Sequence, residues 1–143
     1  MNNNQSLSQK FKRQMLTMAA LSIFFWVIFI LFFRTFWPGN YQPGDSLTIF
    51  WLWFIIGATL FALTQIGLFH LLKIPPAWRT NAAAALAAPA LCLDLFSTMF
   101  FEYWFPHGSP GDLRIYPAFI LGGVGILLFI GLFMTTPEET PPT

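Results

Sequence analysis

The chain has 143 residues, of which 56% are hydrophobic, 19% aromatic and only 9% charged, with a formal net charge of +1. One domain fits in that length, and at a mean hydropathy of +0.62 the composition excludes a water-exposed globule, where about 25% of residues carry charge. The small charge with no basic stripe points away from nucleic acid, and the lone cysteine, Cys92, leaves no internal disulfide and no multi-cysteine metal site.

The first predicted element is a span over residues 15–33, a run with no charged residue that follows Lys10, Lys12 and Arg13. A cleaved signal peptide starts in the same way. Its apolar region is shorter, however, and Arg34-Thr35-Phe36-Trp37 offers no small-residue cleavage site. The first helix is therefore expected to be retained. Pro38, Gly39, Pro43 and Gly44 break the pattern before a second span over residues 47–72, which ends at Lys73. Pro75 and Pro76 lead into a third span over 82–105, which carries Asp94 and Glu102. Pro106, Gly108, Pro110 and Gly111 precede the fourth, over 116–134.

Each run has at least 19 residues, close to the roughly 20 that cross ~30 Å of hydrocarbon. The ~10-residue alternating segments of a barrel are absent. Short connections between such helices predict an all-α, four-helix transmembrane bundle running up-down-up-down. A segment before residue 15 and a tail over 135–143 lie outside the spans.

Lys and Arg set the orientation. Lys10, Lys12, Arg13, Lys73 and Arg79 fall on one side, against Arg34 and Arg114 on the other. Both termini are thus expected in the cytoplasm. Trp37, Tyr41, Trp51, Tyr103, Trp104 and Tyr116 gather at the opposite helix ends, with Trp78 alone on the cytoplasmic side. Amphipathic rings favour headgroup depth, so these residues read as an interfacial belt rather than as an aromatic ligand cage.

Asp94 is the most informative residue. It lies twelve residues from the start of its span and eleven from the end. A carboxylate at that depth costs about 2.5–3.5 kcal/mol on insertion scales, so it is expected to face other helices and find partners. Ala83, Ala87, Ala90 and Thr98 fall within about 40° of it on a helical wheel, a stripe suited to close helix contact. Pro89 should kink the same helix. Counting depth from the cytoplasmic ends puts Trp26 and Thr59 at the level of Asp94. Trp26 supplies an indole N–H donor. Lys and Arg are absent at that depth, which excludes a buried salt bridge.

Glu102, about 12 Å further along the axis, is out of reach of Asp94. Its expected role is interfacial, with Arg34 and Arg114 as partners. His70 and His107 sit at opposite ends of the membrane and make no metal site. Ala118, Gly122 and Gly125 give the fourth helix a small face for packing, within the chain or against a second copy. The sequence contains no G-x-S-x-G, H-E-x-x-H, P-loop or dinucleotide fingerprint.

The stretch Pro89-Ala90-Leu91-Cys92-Leu93-Asp94, followed by Phe100-Phe101-Glu102-Tyr103-Trp104-Phe105-Pro106-His107, resembles a family of small uncharacterised bacterial membrane proteins. The resemblance covers the second half of the chain. It implies four spans in a bacterial inner membrane and no activity.

The leading expectation is a non-enzymatic inner-membrane protein with a structural or partner-binding role around Asp94. Its surroundings are the lipid bilayer and a membrane-protein partner or a second copy, with no cofactor, catalytic residue or metal. The alternative is a small proton-coupled transporter, or transporter subunit, that uses Asp94. An intramembrane enzyme is the weakest class, because no nucleophile–base pair shares one depth.

Overall fold

A computed structural model describes residues 3–36, 48–106, 108 and 112–136. Four long helices carry the fold: α1 (Asn3–Phe36), α2 (Thr48–Leu71), α3 (Arg79–Met99) and α5 (Asp112–Phe133), with a one-turn helix α4 (Phe101–Trp104). Four segments have membrane-spanning length and apolarity: Leu7–Thr35 in α1, Phe50–Leu71 in α2, Pro76–Met99, which takes in a 3-10 turn over Pro76–Trp78 and all of α3, and Ile115–Phe133 in α5. Among the described residues there is no strand. The protein is a four-helix membrane bundle.

Two helix boundaries differ from the hydropathy runs. α1 begins twelve residues before the apolar run, and its 34 residues extend ~51 Å at 1.5 Å per residue, well beyond ~30 Å of hydrocarbon. Hydropathy marks where lipid can surround a helix, and the backbone hydrogen-bond ladder continues past that limit. At the other end, α3 stops at Met99 and the chain resumes helix at Phe101, with Phe100 at φ −112° and ψ 36° between them. Pro89 sits inside α3 without ending it.

Spatial order departs from chain order. α1 packs on α3, α3 on α5, and α5 on α2. α1 and α2 are consecutive in sequence but meet only locally among the described residues. Gln14 Nε2 donates to the Leu72 carbonyl at 3.0 Å, and the Phe29 and Phe61 rings lie 5.8 Å apart. Small residues explain the closer contacts. Ala82, Ala83 and Ala87 of α3 are fully or almost fully buried, and a Cβ placed on Gly131 of α5 would meet the Ala83 side chain and the Arg79 carbonyl. Without a hydrophobic drive in lipid, such close backbone approach is what holds helices together.

α2 and α5 interlock by exchange. Gly57 of α2 receives the Phe119 ring, while Gly122 and Gly123 of α5 receive Phe54 and Phe61. Gln65 of α2, fully buried, donates from Nε2 to the Leu127 carbonyl at 2.8 Å. The small face expected on α5 is therefore only partly used. Gly122 packs, but Ala118 and Gly125 are exposed, and nothing lies within 4 Å of a Cβ at Gly125. The buried face is the opposite one, with Tyr116, Phe119, Ile120 and Val124. Bulky aromatic and branched side chains there offer far more contact area than the small stripe.

Helix ends are closed by other elements. The Thr80 backbone N–H, an orphan donor of the first turn of α3, donates to Thr135 Oγ1 at 2.9 Å. Thr135 in turn donates to the Gly131 carbonyl at 2.7 Å. At the end of α2, Ile74 N–H bonds the Phe69 carbonyl at 2.9 Å and Lys73 N–H bonds the His70 carbonyl at 3.1 Å. That pair of bonds is the Schellman pattern, with Ile74 and Phe69 buried against each other's cluster. Its left-handed position is held by Lys73, at φ 50°, where glycine carries no Cβ penalty. Replacing Lys73 with Gly should stabilise the protein by about 1 kcal/mol, read as a higher unfolding midpoint in detergent. A lower midpoint would show that the lysine side chain contributes more than its backbone strain costs.

Candidate functional site: a buried carboxylate shared by three helices

Two apolar clusters fill the bundle. One surrounds Met18, Phe69, Ala82 and Leu86, the other Ile30, Phe105, Tyr116 and Phe119. Asp94 sits between them on α3, with 6% of its surface exposed. A single carboxylate oxygen, Oδ1, gathers donors from three helices. Trp26 Nε1 of α1 donates at 2.8 Å. The Tyr116 hydroxyl of α5 donates at 3.1 Å. Ser97 of α3 itself lies with Oγ 2.8 Å from the Tyr116 hydroxyl and 3.5 Å from Oδ1.

Each hydroxyl has one proton, which orders the chain of bonds. If Tyr116 donates to Asp94, its oxygen accepts from Ser97. Ser97 Oγ also lies 3.1 Å from the carbonyl of Asp94 one turn back. Tyr116 is 1% exposed and Ser97 0%, so neither hydroxyl has water to fall back on. The indole of Trp26 is turned toward Asp94 by an edge-on contact with Trp104, at 6.0 Å between ring centroids. The Tyr116 ring is wedged between Phe101 and Phe105, at 5.6 and 5.1 Å.

Of the residues singled out in the sequence, the structure joins Asp94 and Trp26. Thr59 lies outside the cluster. It is exposed, and its hydroxyl donates to the Ile55 carbonyl of its own helix at 2.8 Å, because α2 is separated from α3 by α5. Thr98 is half-buried and takes no part. Its neighbour Ser97 holds the place, since a serine three residues after Asp94 reaches the carboxylate side of the helix. Glu102 is exposed on α4 and Arg34 is exposed at the end of α1, with no ion pair between them among the described residues. His107 and the segment over 37–47, with Trp37 and Tyr41, lie outside the described residues, as does the side chain of Arg114.

Tyr116 is the main correction. Expected in the interfacial belt, it is instead one of the most buried residues, and its hydroxyl completes the Asp94 cluster. Trp51 and Tyr103 remain on the surface at 54% and 76% exposure. Among the described residues no three His, Cys, Asp or Glu side chains converge.

Asp94 also forms part of a cavity wall. A cavity of about 320 Å³ opens between α1 and α2, floored by α3 and α5. Phe25, Trp26, Phe29 and Phe61 line it, and its only charged lining residue is Asp94.

The geometry has no counterpart to borrow from. No curated protein and no solved structure matches the chain. A family of unknown function, DUF5367, matches residues 41–138. The chain belongs to that family. The matched region takes in α2, α3 and α5 entire, so Asp94, Ser97 and Tyr116 fall within it and Trp26 falls outside.

The Trp26–Asp94 bond should be measurable as a coupling energy. A double-mutant cycle with Trp26→Phe and Asp94→Asn is expected to give about 0.6–1.7 kcal/mol, the span found for hydrogen bonds between membrane helices. Thr59→Val should leave stability within about 0.5 kcal/mol of the parent. Additive effects in the cycle would remove the bond from any account of the fold.

Proposed function

We propose that this DUF5367 protein is a non-enzymatic, multi-pass protein of a bacterial inner membrane, with both termini cytoplasmic, that presents a fixed helical surface to a membrane partner. The observation that carries the reading is one carboxylate oxygen accepting from Trp26 of α1 and Tyr116 of α5, with Ser97 of α3 donating in turn to Tyr116. Polar groups cost energy in hydrocarbon, and a cluster satisfied from three helices fixes their mutual rotation. Exposed Leu52, Ile55, Leu60 and Leu63 on α2, with Leu121, Leu128 and Leu132 on α5, supply the apolar surface that faces lipid or a partner.

A second reading, a small proton-coupled transporter, draws on one specific observation. Asp94 lines the cavity between α1 and α2 as well as binding the three donors. A carboxyl group with access to a cavity can exchange a proton, whereas a sealed one cannot.

Asp94→Asn separates the two. The structural role predicts loss of the folded state in detergent, by about 1–3 kcal/mol for the disturbed buried cluster, and no proton-coupled flux in proteoliposomes of the parent. Transport predicts a folded variant whose flux is abolished. A variant unchanged in both would sink the emphasis on Asp94. Orientation is tested by reporter fusions at Thr143, expected to be active in the cytoplasmic format only.

A further inference from the structure

The cavity between α1 and α2 has polar groups that the helix clamp leaves unused. Ser22 of α1 is 3% exposed and lines the cavity, yet its Oγ has no hydrogen-bond partner among the described residues. An orphan hydroxyl in an apolar membrane interior is costly unless something else completes it. Asp94 is half used in a similar sense. Its side-chain bonds to the described residues all converge on Oδ1, and Oδ2 has no partner among them. Ser22 Oγ is closed off by its neighbours, so the hydrogen-bond acceptor that the cavity presents is the carboxylate of Asp94.

Charge makes the match specific. Asp94 is the only charged lining residue, and no Lys or Arg lines the cavity. A carboxylate satisfied by an indole and two hydroxyls still lacks a countercharge. The walls are aromatic, with Phe25, Trp26, Phe29 and Phe61, and aromatic faces attract organic cations. Size agrees as well, because 320 Å³ is at the lower end of small-molecule sites, about 300–1,000 Å³.

We infer that this cavity binds a lipophilic ammonium ion that enters from the bilayer, with its N–H groups donating to Asp94 and its hydrocarbon portion against the phenylalanines. The inference goes beyond the structural role proposed above, and it holds whether or not the ligand is moved across the membrane.

The test uses the full-length protein in lipid nanodiscs with tritiated dodecylammonium as probe and empty nanodiscs as blank. 1-Dodecanol, with the same chain and a neutral donor, is the comparator. Saturable binding at one site per chain is expected, with at least tenfold preference for the ammonium. Phe25→Leu should weaken ammonium binding by threefold or more, since it removes one aromatic face from the cavity wall. Asp94→Asn, where it folds, should weaken it tenfold or more. Equal binding of the alcohol, binding no greater than to empty nanodiscs, or a Phe25→Leu variant that binds like the parent would each overturn the inference. None of these depends on the clamp, whose failure is read separately from the unfolding midpoint.

Discussion

A carboxyl group at mid-depth of a membrane helix costs about 2.5–3.5 kcal/mol to insert, and the packing of α1, α3 and α5 answers that cost. Hydrocarbon supplies no hydrogen-bond donor and the sequence places no Lys or Arg at that level, so the donors have to be neutral side chains. An indole and two hydroxyls fill the role, one from each of the three helices. Each donor requires its helix to be turned to one azimuth. The Trp26–Trp104 contact and the Phe101–Tyr116–Phe105 stack then follow as the packing that keeps the donors aimed.

The alanines of α3 belong to the same solution. Ala83, Ala87 and Ala90 share the Asp94 face of the helix, and with Ala83 and Ala87 buried, neighbouring backbones approach closely enough for short polar bonds. Gly131 performs the matching service from α5, where a side chain would meet Ala83 and the Arg79 carbonyl. At the α3 entry the arrangement repeats on a smaller scale. Thr80 and Thr135 share a hydrogen bond of 2.7 Å, and the threonine on one helix caps the first turn of the other. α2 stands apart from this network. Glycine–phenylalanine exchange and the Gln65 bond tie it to α5, while Leu68 and Phe69 near its end share a cluster with Met18 of α1 and Ala82, Ala83 and Leu86 of α3.

How much of this could be read from the sequence depends on which coordinate is asked for. Depth is encoded directly, at 1.5 Å per residue from the edge of each apolar run. Counting alone set Trp26 level with Asp94, and the two are bonded at 2.8 Å. The rotation of one helix about its axis relative to another, and the choice of neighbour, are not encoded in that way. Thr59 has the right depth but sits on a helix that α5 holds away from α3. Thr98 and Ser97 differ by about 100° of azimuth, and only the packed structure decides between them. Tyr116 is ambiguous for a chemical reason. A tyrosine at a helix start suits the headgroup region and suits a buried polar cluster, and the partner that decides is 22 residues away. On α5 the small stripe is engaged within the chain only at Gly122, because Ala118 and Gly125 permit close packing without requiring it.

The cavity is a consequence of these two modes of attachment. α1 is rotated by its indole toward α3, and α2 is committed by its glycines to α5. With their packing faces already engaged, α1 and α2 meet near one end, where Met18 joins Leu68 and Phe69 and Gln14 bonds Leu72, and again at Phe29–Phe61. Closing the space between them, or filling it with lipid tails, would leave the second oxygen of Asp94 against hydrocarbon with no donor. A molecule that carries a hydrogen-bond donor and a positive charge removes that cost.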